Sequence, residues 1–541
     1  MGRAVTWLTH LLLALPLLLA ALLRDEAVRQ LARRRRRRRV AGPRRCVPPE
    51  AGAPPPSLAS LVEAVVAGRT SAAALVGACE ARFRECNAHV NAIVVPHFAE
   101  ARLQAQHVDE LPPCPAAPCA CSQPCRRALA ASQPLLGIPF TAKECFAVRG
   151  CPNTSGLVAR IGRPAATTAT AVQRMRDAGA ILVGLTNVSE LCMWLESSNQ
   201  VYGRTNNAYD VECMVGGSSG GEGCALAAAM SLASVGSDVG GSIRLPAHFN
   251  GVFGLKPTGG RVPNTGQWPG LENEAYLVTG PLARRAADLE LLLGVLAGPD
   301  GIDRACPDPP RFPLGRSADV GQLRVFRVSD DSYTRLARRP SPVVACAVDD
   351  AFQRLARDSS NGGVCVQMLD FRASVETWAT MLTVRGGGPP FAHFLGDEQP
   401  MNVVAALLHY LVRPSSCPHT LPALGLATIE VFSGATPSLD ERIIAAGTSL
   451  RVRLNQMLAD DGILVFPTFP SVAPRHGDAL RSPFDFAFTA IFNALELPVA
   501  VVPVGHCPST GLPVGVQLVA AQGCDHVAIA AAIRLEAALA Q

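Results

Sequence analysis

The stretch Val215 to Ala247, VGGSSGGEGCALAAAMSLASVGSDVGGSIRLPA, constrains this chain more than any other part of it. Two Gly/Ser loops bracket an Ala-rich helix and a short strand. Residues without a Cβ let backbone approach a bound molecule closely, and they tolerate conformations that turn several N–H groups toward one point. Such a concavity stabilises an oxyanion. In Asp238-Val239-Gly240-Gly241-Ser242 the serine follows the glycines, so its own N–H and those of Val239, Gly240 and Gly241 are placed to surround the oxygen of a tetrahedral intermediate. Ser242 is therefore the candidate nucleophile.

A serine hydroxyl is a poor nucleophile until a base removes its proton, and the usual base is histidine. Of eleven histidines only His248 is near the loops, six residues beyond Ser242 on what should be the same helix. It reads as a packing residue. Gly216-Gly217-Ser218-Ser219-Gly220 also fits a G-x-S-x-G elbow, with Asp525 and His526 as the remaining members of a triad. That alternative leaves the second loop and Lys143 without a purpose. The glycine-rich loops lack the lysine and downstream acid of phosphate-binding motifs, so neither a nucleotide nor any other cofactor is expected.

At 541 residues with 48% apolar side chains, the chain can build a large core of Ala, Val and Leu, read as one α/β domain rather than two. Leu58 to Val66 and Ala72 to Phe83 carry apolar residues at helical spacing, with Ser71 as a cap. Leu135 to Ala142 reads as a buried strand delivering Lys143 at its tip; Ala169 to Ala178 reads as a helix and Ile181 to Leu185 as a strand. This alternation predicts a twisted mixed sheet covered by helices on both faces.

Ala4 to Leu23 is uncharged and Leu-rich, long enough as a helix to span about 30 Å, the thickness of a hydrocarbon core. It reads as a single-pass membrane anchor; a cleaved signal peptide is the competing reading. Residues 1–32 form this anchor and its flank, 33–57 a basic then Pro-rich linker, and 58–541 the folded domain. Seven of the positive charges sit in Arg33 to Arg39, so the net charge of +5 leaves the remainder near neutral, which argues against nucleic acid as a partner. With Arg24 and Arg29, that run favours a cytosolic domain by the positive-inside rule. Asn153-Thr-Ser155 and Asn187-Val-Ser189 would be glycan sites were the domain lumenal. The eighteen cysteines follow no disulfide framework; Cys114, Cys119, Cys121 and Cys125 bunch in a Pro/Ala-rich stretch readable as a metal clip or a plain loop insert.

Taken together, GGSSGG followed by D-x-GGS-x-R-x-PA resembles the motif of the amidase signature hydrolases at every defining position. The resemblance continues through GIPFTAKECF, CPNTSGL, TNVSELCMWLESSN, YGRTNN, GVFGLKPT and Leu512 to Gln517, covering most of the chain after residue 57, and the SELCMWLESSN stretch is similar to the fatty-amide branch. It implies one large α/β domain and a catalytic set of Lys143, Ser218 and Ser242, 75 and 24 residues apart, with Gly217 and Ser218 joined by a cis peptide bond. Departures are the cysteine-rich insert, the heptarginine and Gly386 to Pro390.

On this resemblance, neutral Lys143 takes a proton from Ser218, which takes one from Ser242; the relay later returns it to the departing nitrogen. Free lysine has a pKa near 10.4, so such a base must lose its charge through burial or hydrogen bonding. Ser219 would support the site by hydrogen bonding, and Asp238 with Arg244 would be ion-paired scaffolding rather than a substrate contact. Met193 and Trp194 would meet the substrate, and Met401 to Val412 with Leu421 to Leu426 either line an acyl channel, dip into lipid or form ordinary core. The implied substrates are lipid amides, both fatty primary amides and N-acylethanolamines, with a membrane as partner at the endoplasmic reticulum or lipid droplets. Self-association into a homodimer is left open. An amidase of short-chain or aminoacyl amides and a lipid-binding relative without turnover are the alternative readings.

Overall fold

The structure, a computed structural model, describes residues 13–36, 45–47, 55–115, 125–270, 274–317, 321–366, 369–385, 389–430 and 437–541. Its centre is an 11-stranded mixed sheet in the spatial order β1-β3-β2-β4-β6-β5-β10-β11-β9-β7-β8. In chain order these are β1 Ile93–Pro96, β2 Pro139–Lys143, β3 Ile181–Thr186, β4 Ala233–Asp238, β5 Phe253–Lys256 and β6 Val278–Ala283, followed by β7 Arg324–Val328, β8 Val364–Val366, β9 Gly462–Pro467, β10 Val499–His506 and β11 Pro513–Val519. β2 runs parallel to both β3 and β4, with Ala142 opposite Val235, while β4, β6, β5, β10, β11 and β9 follow as antiparallel neighbours. Every residue of β2, β3 and β4 is buried, which is why these strands read as continuous runs rather than alternating ones.

Lys143, Thr186 and Asp238 are the last residues of three adjacent parallel strands. Polar groups at carboxyl ends of parallel strands sit where α/β sheets bind their ligands, because the connections there leave the sheet and open a crevice. The two Gly/Ser loops close over this edge, and the helices Gly220–Ala227 and Arg244–Asn250 carry the chain away from it.

The helix Leu58–Val66 lies where helical spacing places it, and Ser71 Oγ accepts the Ala74 N–H to cap the next helix, which runs Ala72–Val90, beyond the expected Phe83. β2 begins only at Pro139, because residues 135–137 are taken up in a turn; its tip at Lys143 is as expected. The expected helix over 169–178 is Thr170–Asp177, and the strand at 181–185 extends to Thr186.

Among the described residues no helix is long and apolar enough to cross a membrane. Of the apolar segment Ala4 to Leu23, residues 4–12 lie outside the described residues; the rest opens a helix, Leu15–Arg36, whose second half is charged. Ala14, Leu18 and Ala21, one face at spacings of four and three, are buried against the helices Val403–Val412 and Leu421–Glu430.

Candidate active site

Lys143 has no exposure, and its Nζ donates to Ser218 Oγ at 2.8 Å and to Ser237 Oγ at 2.9 Å. Ser237 follows from strand pairing: with Ala142 beside Val235, the tip of β2 lies next to the end of β4. Ser218 is held from its other side, where Ser197 Oγ donates to its carbonyl, and the Gly217–Ser218 bond is cis. A Cβ at Gly217 would collide with the Trp194 carbonyl oxygen, so this position requires glycine for a close approach rather than for flexibility. Ser219 spans the two loops: its N–H donates to the Ser242 carbonyl at 3.1 Å and its Oγ to the Ser237 carbonyl at 3.1 Å.

Asp238 and Arg244, both fully buried, lock the second loop. Arg244 Nη2 and Nε donate to the two Asp238 oxygens at 2.9 and 3.0 Å, and Nη1 donates to the Thr489 carbonyl and Gln517 Oε1. Asp238 also accepts from the Ile243 and Gly241 N–H groups. Burial alone would push this carboxyl up; the Arg244 charge and the donors around it hold it well below the usual carboxylate range. The Gly241 N–H, one of four expected to face an oxyanion, is thus turned onto Asp238 at 2.7 Å. The N–H groups of Val239, Gly240 and Ser242 make no hydrogen bond among the described residues. Two side chains absent from the sequence reading pin the carbonyls of this loop: Trp378 Nε1 donates to Val239 and Thr489 Oγ1 to Gly240, both at 2.7 Å.

Two buried carboxyls flank the lysine. Glu222 accepts from Thr141 Oγ1 and Thr186 Oγ1, and Glu144 accepts from the Thr154 N–H, Thr154 Oγ1 and Tyr202 Oη. Burial pushes each up to about 7 against these hydrogen bonds. Cys192, on a tight turn with Leu191, is held below the ordinary thiol range by hydrogen bonding with Cys145, with Lys143 and Ser218 also contributing.

A cavity of about 300 Å³ opens on Ser242. Gly217, Val239, Gly240 and Ser242 form the end that holds the candidate nucleophile, and Met193, Trp194, Trp378, Leu245 and Phe486 are part of its wall. Leu421, Gly425, Leu426 and Ile429 extend it along one face of their helix. Of the two apolar runs left open by the sequence, 421–426 therefore lines this cavity. The residues of 401–412 do not reach the cavity and pack against the N-terminal helix instead.

The competing elbow reading is not assembled, since Ser218 faces Lys143 and Asp525 accepts from Thr258 and Arg261. His248 is buried among carbonyls: its Nδ1 accepts the Gly515 N–H and its Nε2 lies 3.0 Å from the Ser471 carbonyl, a packing role. Asn153 and Asn187 are buried with their amides donating to backbone carbonyls, so neither is presented as a glycan acceptor. Cys114 and Cys125 are buried, while Cys119 and Cys121 lie outside the described residues.

Residues 74–528 match the profile of the Amidase family. The chain is 40% identical over 463 residues to fatty-acid amide hydrolase 2 of Homo sapiens, covering 84% of each. It is 30% identical over 509 residues to the indoleacetamide hydrolase of Bradyrhizobium diazoefficiens, covering 88% of this chain and 86% of that protein. The solved structure of 6-aminohexanoate cyclic dimer hydrolase with substrate superposes at a TM-score of 0.68 and 25% identity, over 90% of this chain and 97% of that one. With its polar strand tips, glycine loops and buried lysine on a fold shared over this length, the chain belongs to the Amidase family and is an amidase-signature serine hydrolase of amide C–N bonds.

Proposed function

We propose that this protein hydrolyses fatty-acid amides, fatty primary amides and N-acylethanolamines, by a Ser-Ser-Lys relay. The observation that carries the relay is the buried contact of 2.8 Å between Lys143 Nζ and Ser218 Oγ. The Lys143 amine takes the Ser218 proton while Ser218 takes that of Ser242. The Ser242 oxygen then attacks the carbonyl carbon, and the oxyanion is received by the backbone N–H groups of Val239, Gly240 and Ser242. Gly241, whose N–H is engaged by Asp238, stiffens the loop from behind. Collapse of the tetrahedral intermediate breaks the C–N bond as the relay returns a proton to the leaving nitrogen, and water then releases the acid by the same route. Asp238, Arg244 and Ser219 position the loops without touching substrate.

The apolar cavity supports a long acyl chain, since a chain without charge gains from burial along Leu421, Leu426 and Trp378 in proportion to the area removed from water. The fatty-acid amide hydrolase 2 likeness supports the same substrate class. Association with a membrane, at the endoplasmic reticulum or lipid droplets, is supported by the apolar run of residues 4–23 and by the outward row of Leu15, Leu19 and Leu23. Lipid amides concentrate in such a bilayer. Turnover of oleamide, anandamide, butyramide and glutaminyl-tRNA by the purified protein tests the reading: oleamide and anandamide are expected to be cleaved fastest. Equal rates for oleamide and butyramide would remove the fatty-amide assignment, and wild-type turnover in Lys143→Ala would remove the relay.

A further inference from the structure

The N-terminal helix does more than lie beside the domain. Its inward face, Ala14, Leu18 and Ala21, is buried, and two of its leucines, Leu18 and Leu22, line the same cavity that opens on Ser242. The reactive end is walled by Trp194, Leu245 and Phe486, which belong to one apolar cluster; Leu18 and Leu22 belong to another, with Leu191, Phe391, Leu421 and Leu424. The helix therefore lines a part of the cavity set apart from the residues around the nucleophile. Gly425, itself a lining residue, lies beside it: a Cβ at that position would stand in van der Waals contact with Leu18 Cδ1, at 3.6 Å.

Polar contacts fix the helix over residues 24–29. Arg24 Nη1 donates to the carbonyls of Tyr410 and Leu411, at 3.1 and 2.6 Å, near the C-terminus of the helix Val403–Val412, where cations are favoured. Tyr410 Oη lies 3.4 Å from Asp25 Oδ1, Arg29 Nη1 donates to the Gly477 carbonyl at 2.8 Å, and Arg481 pairs with Glu26. Gly477 in turn donates its N–H to Glu196, next to the Ser197 whose hydroxyl holds the Ser218 carbonyl. A helix tied at Arg24, Asp25, Glu26 and Arg29 has its rotation fixed, so Leu18 and Leu22 are presented to the cavity and Leu19 and Leu23 to the outside.

We propose that this helix is a wall of the acyl-binding cavity, with Leu18 and Leu22 as residues that set the chain length accepted there. The inference rests on the fatty-amide reading for its substrate, though not for its geometry. Enlarging either side chain fills space that a long acyl chain would occupy and a short one would not reach.

The test measures two ratios on the full-length protein: kcat/KM for oleamide over butyramide, and the rate of Ser242 labelling by a hexadecyl over an ethyl fluorophosphonate. Leu18→Trp and Leu22→Trp are each expected to lower both ratios about 10-fold, and Leu18→Met, of similar volume, to keep them. Parental ratios in both tryptophan variants, at parental melting temperature, would overturn the proposal. A second measurement does not depend on tolerating a larger side chain. The thiol introduced by Leu22→Cys, followed by peptide mass spectrometry, should be shielded from a methanethiosulfonate when Ser242 carries the hexadecyl group and not when it carries the ethyl group. Equal reactivity in the two adducts would again overturn it. Cleavage of butyramide without oleamide by the parent protein would defeat the fatty-amide reading alone, because the labelling ratio and the shielding still read the helix.

Discussion

Lys143 is buried with two hydroxyls as its partners, and among the described residues it makes no ion pair. The two hydroxyls fix the orientation of the amine toward Ser218, the arrangement a base facing one serine requires. Lys143→Ala is expected to lower kcat for oleamide about a thousandfold. Ser237→Ala, which removes one acceptor but leaves Ser218 in reach, should lower kcat about 10-fold with KM little changed, a split read from steady-state kinetics. The Asp238 carboxylate binds Arg244 and two loop N–H groups with no exposure, so Asp238→Asn leaves a buried cation underpaired. Chemical denaturation should show a loss of about 3–5 kcal/mol, together with slow fluorophosphonate labelling of Ser242 as the loop loosens.

At the scale of single elements, β2, β3 and the helix Gly220–Ala227 meet at Glu222, which accepts hydroxyls from Thr141 and Thr186. Burial raises this carboxyl from 4.5 to about 7. Between those values the unfolded chain has released the proton and the folded one keeps it, so stability falls as pH rises through the window and stays lower above it. The effect is on the order of 3 kcal/mol for a group this deeply buried. Glu222→Gln cannot titrate, and its stability measured against pH should be flatter than the parent's across that window. The N-terminal helix gives a different element-scale expectation. Arg24→Ala frees the carbonyls of Tyr410 and Leu411, and the Leu15–Arg36 helix should exchange its amide hydrogens faster, while the sheet keeps its protection.

For the whole molecule, the sheet places its polar strand ends on one edge and the cavity runs from there to the helices Leu15–Arg36 and Leu421–Glu430. Those helices carry exposed apolar side chains, Leu19 at 59% and Leu23 at 66% among them. The proposed membrane association would set these side chains against lipid, and it is checked there. Leu19→Asp and Leu23→Asp should each weaken cosedimentation with phosphatidylcholine vesicles about 10-fold. Turnover of butyramide in solution then reports the site separately. Adjacent residues were enough to pick out Lys143, Ser218 and Ser242 as the proposed reacting groups and to show the alternation of strands and helices. Glycines ahead of Ser242, an apolar run ending on Lys143 and caps such as Ser71 are local signals, written in adjacent residues. Ser237, Trp378 and Thr489 were not legible there, because their roles arise from pairing between strands and from contacts across more than a hundred residues, and the amide of Gly241 was not because the folded loop turns it onto Asp238, three residues before it. The N-terminal segment shows the same limit. Its hydropathy is equally that of an anchor and of a packed helix, and only the partners that tertiary structure sets against Ala14, Leu18 and Ala21 decide which surface of it the protein covers.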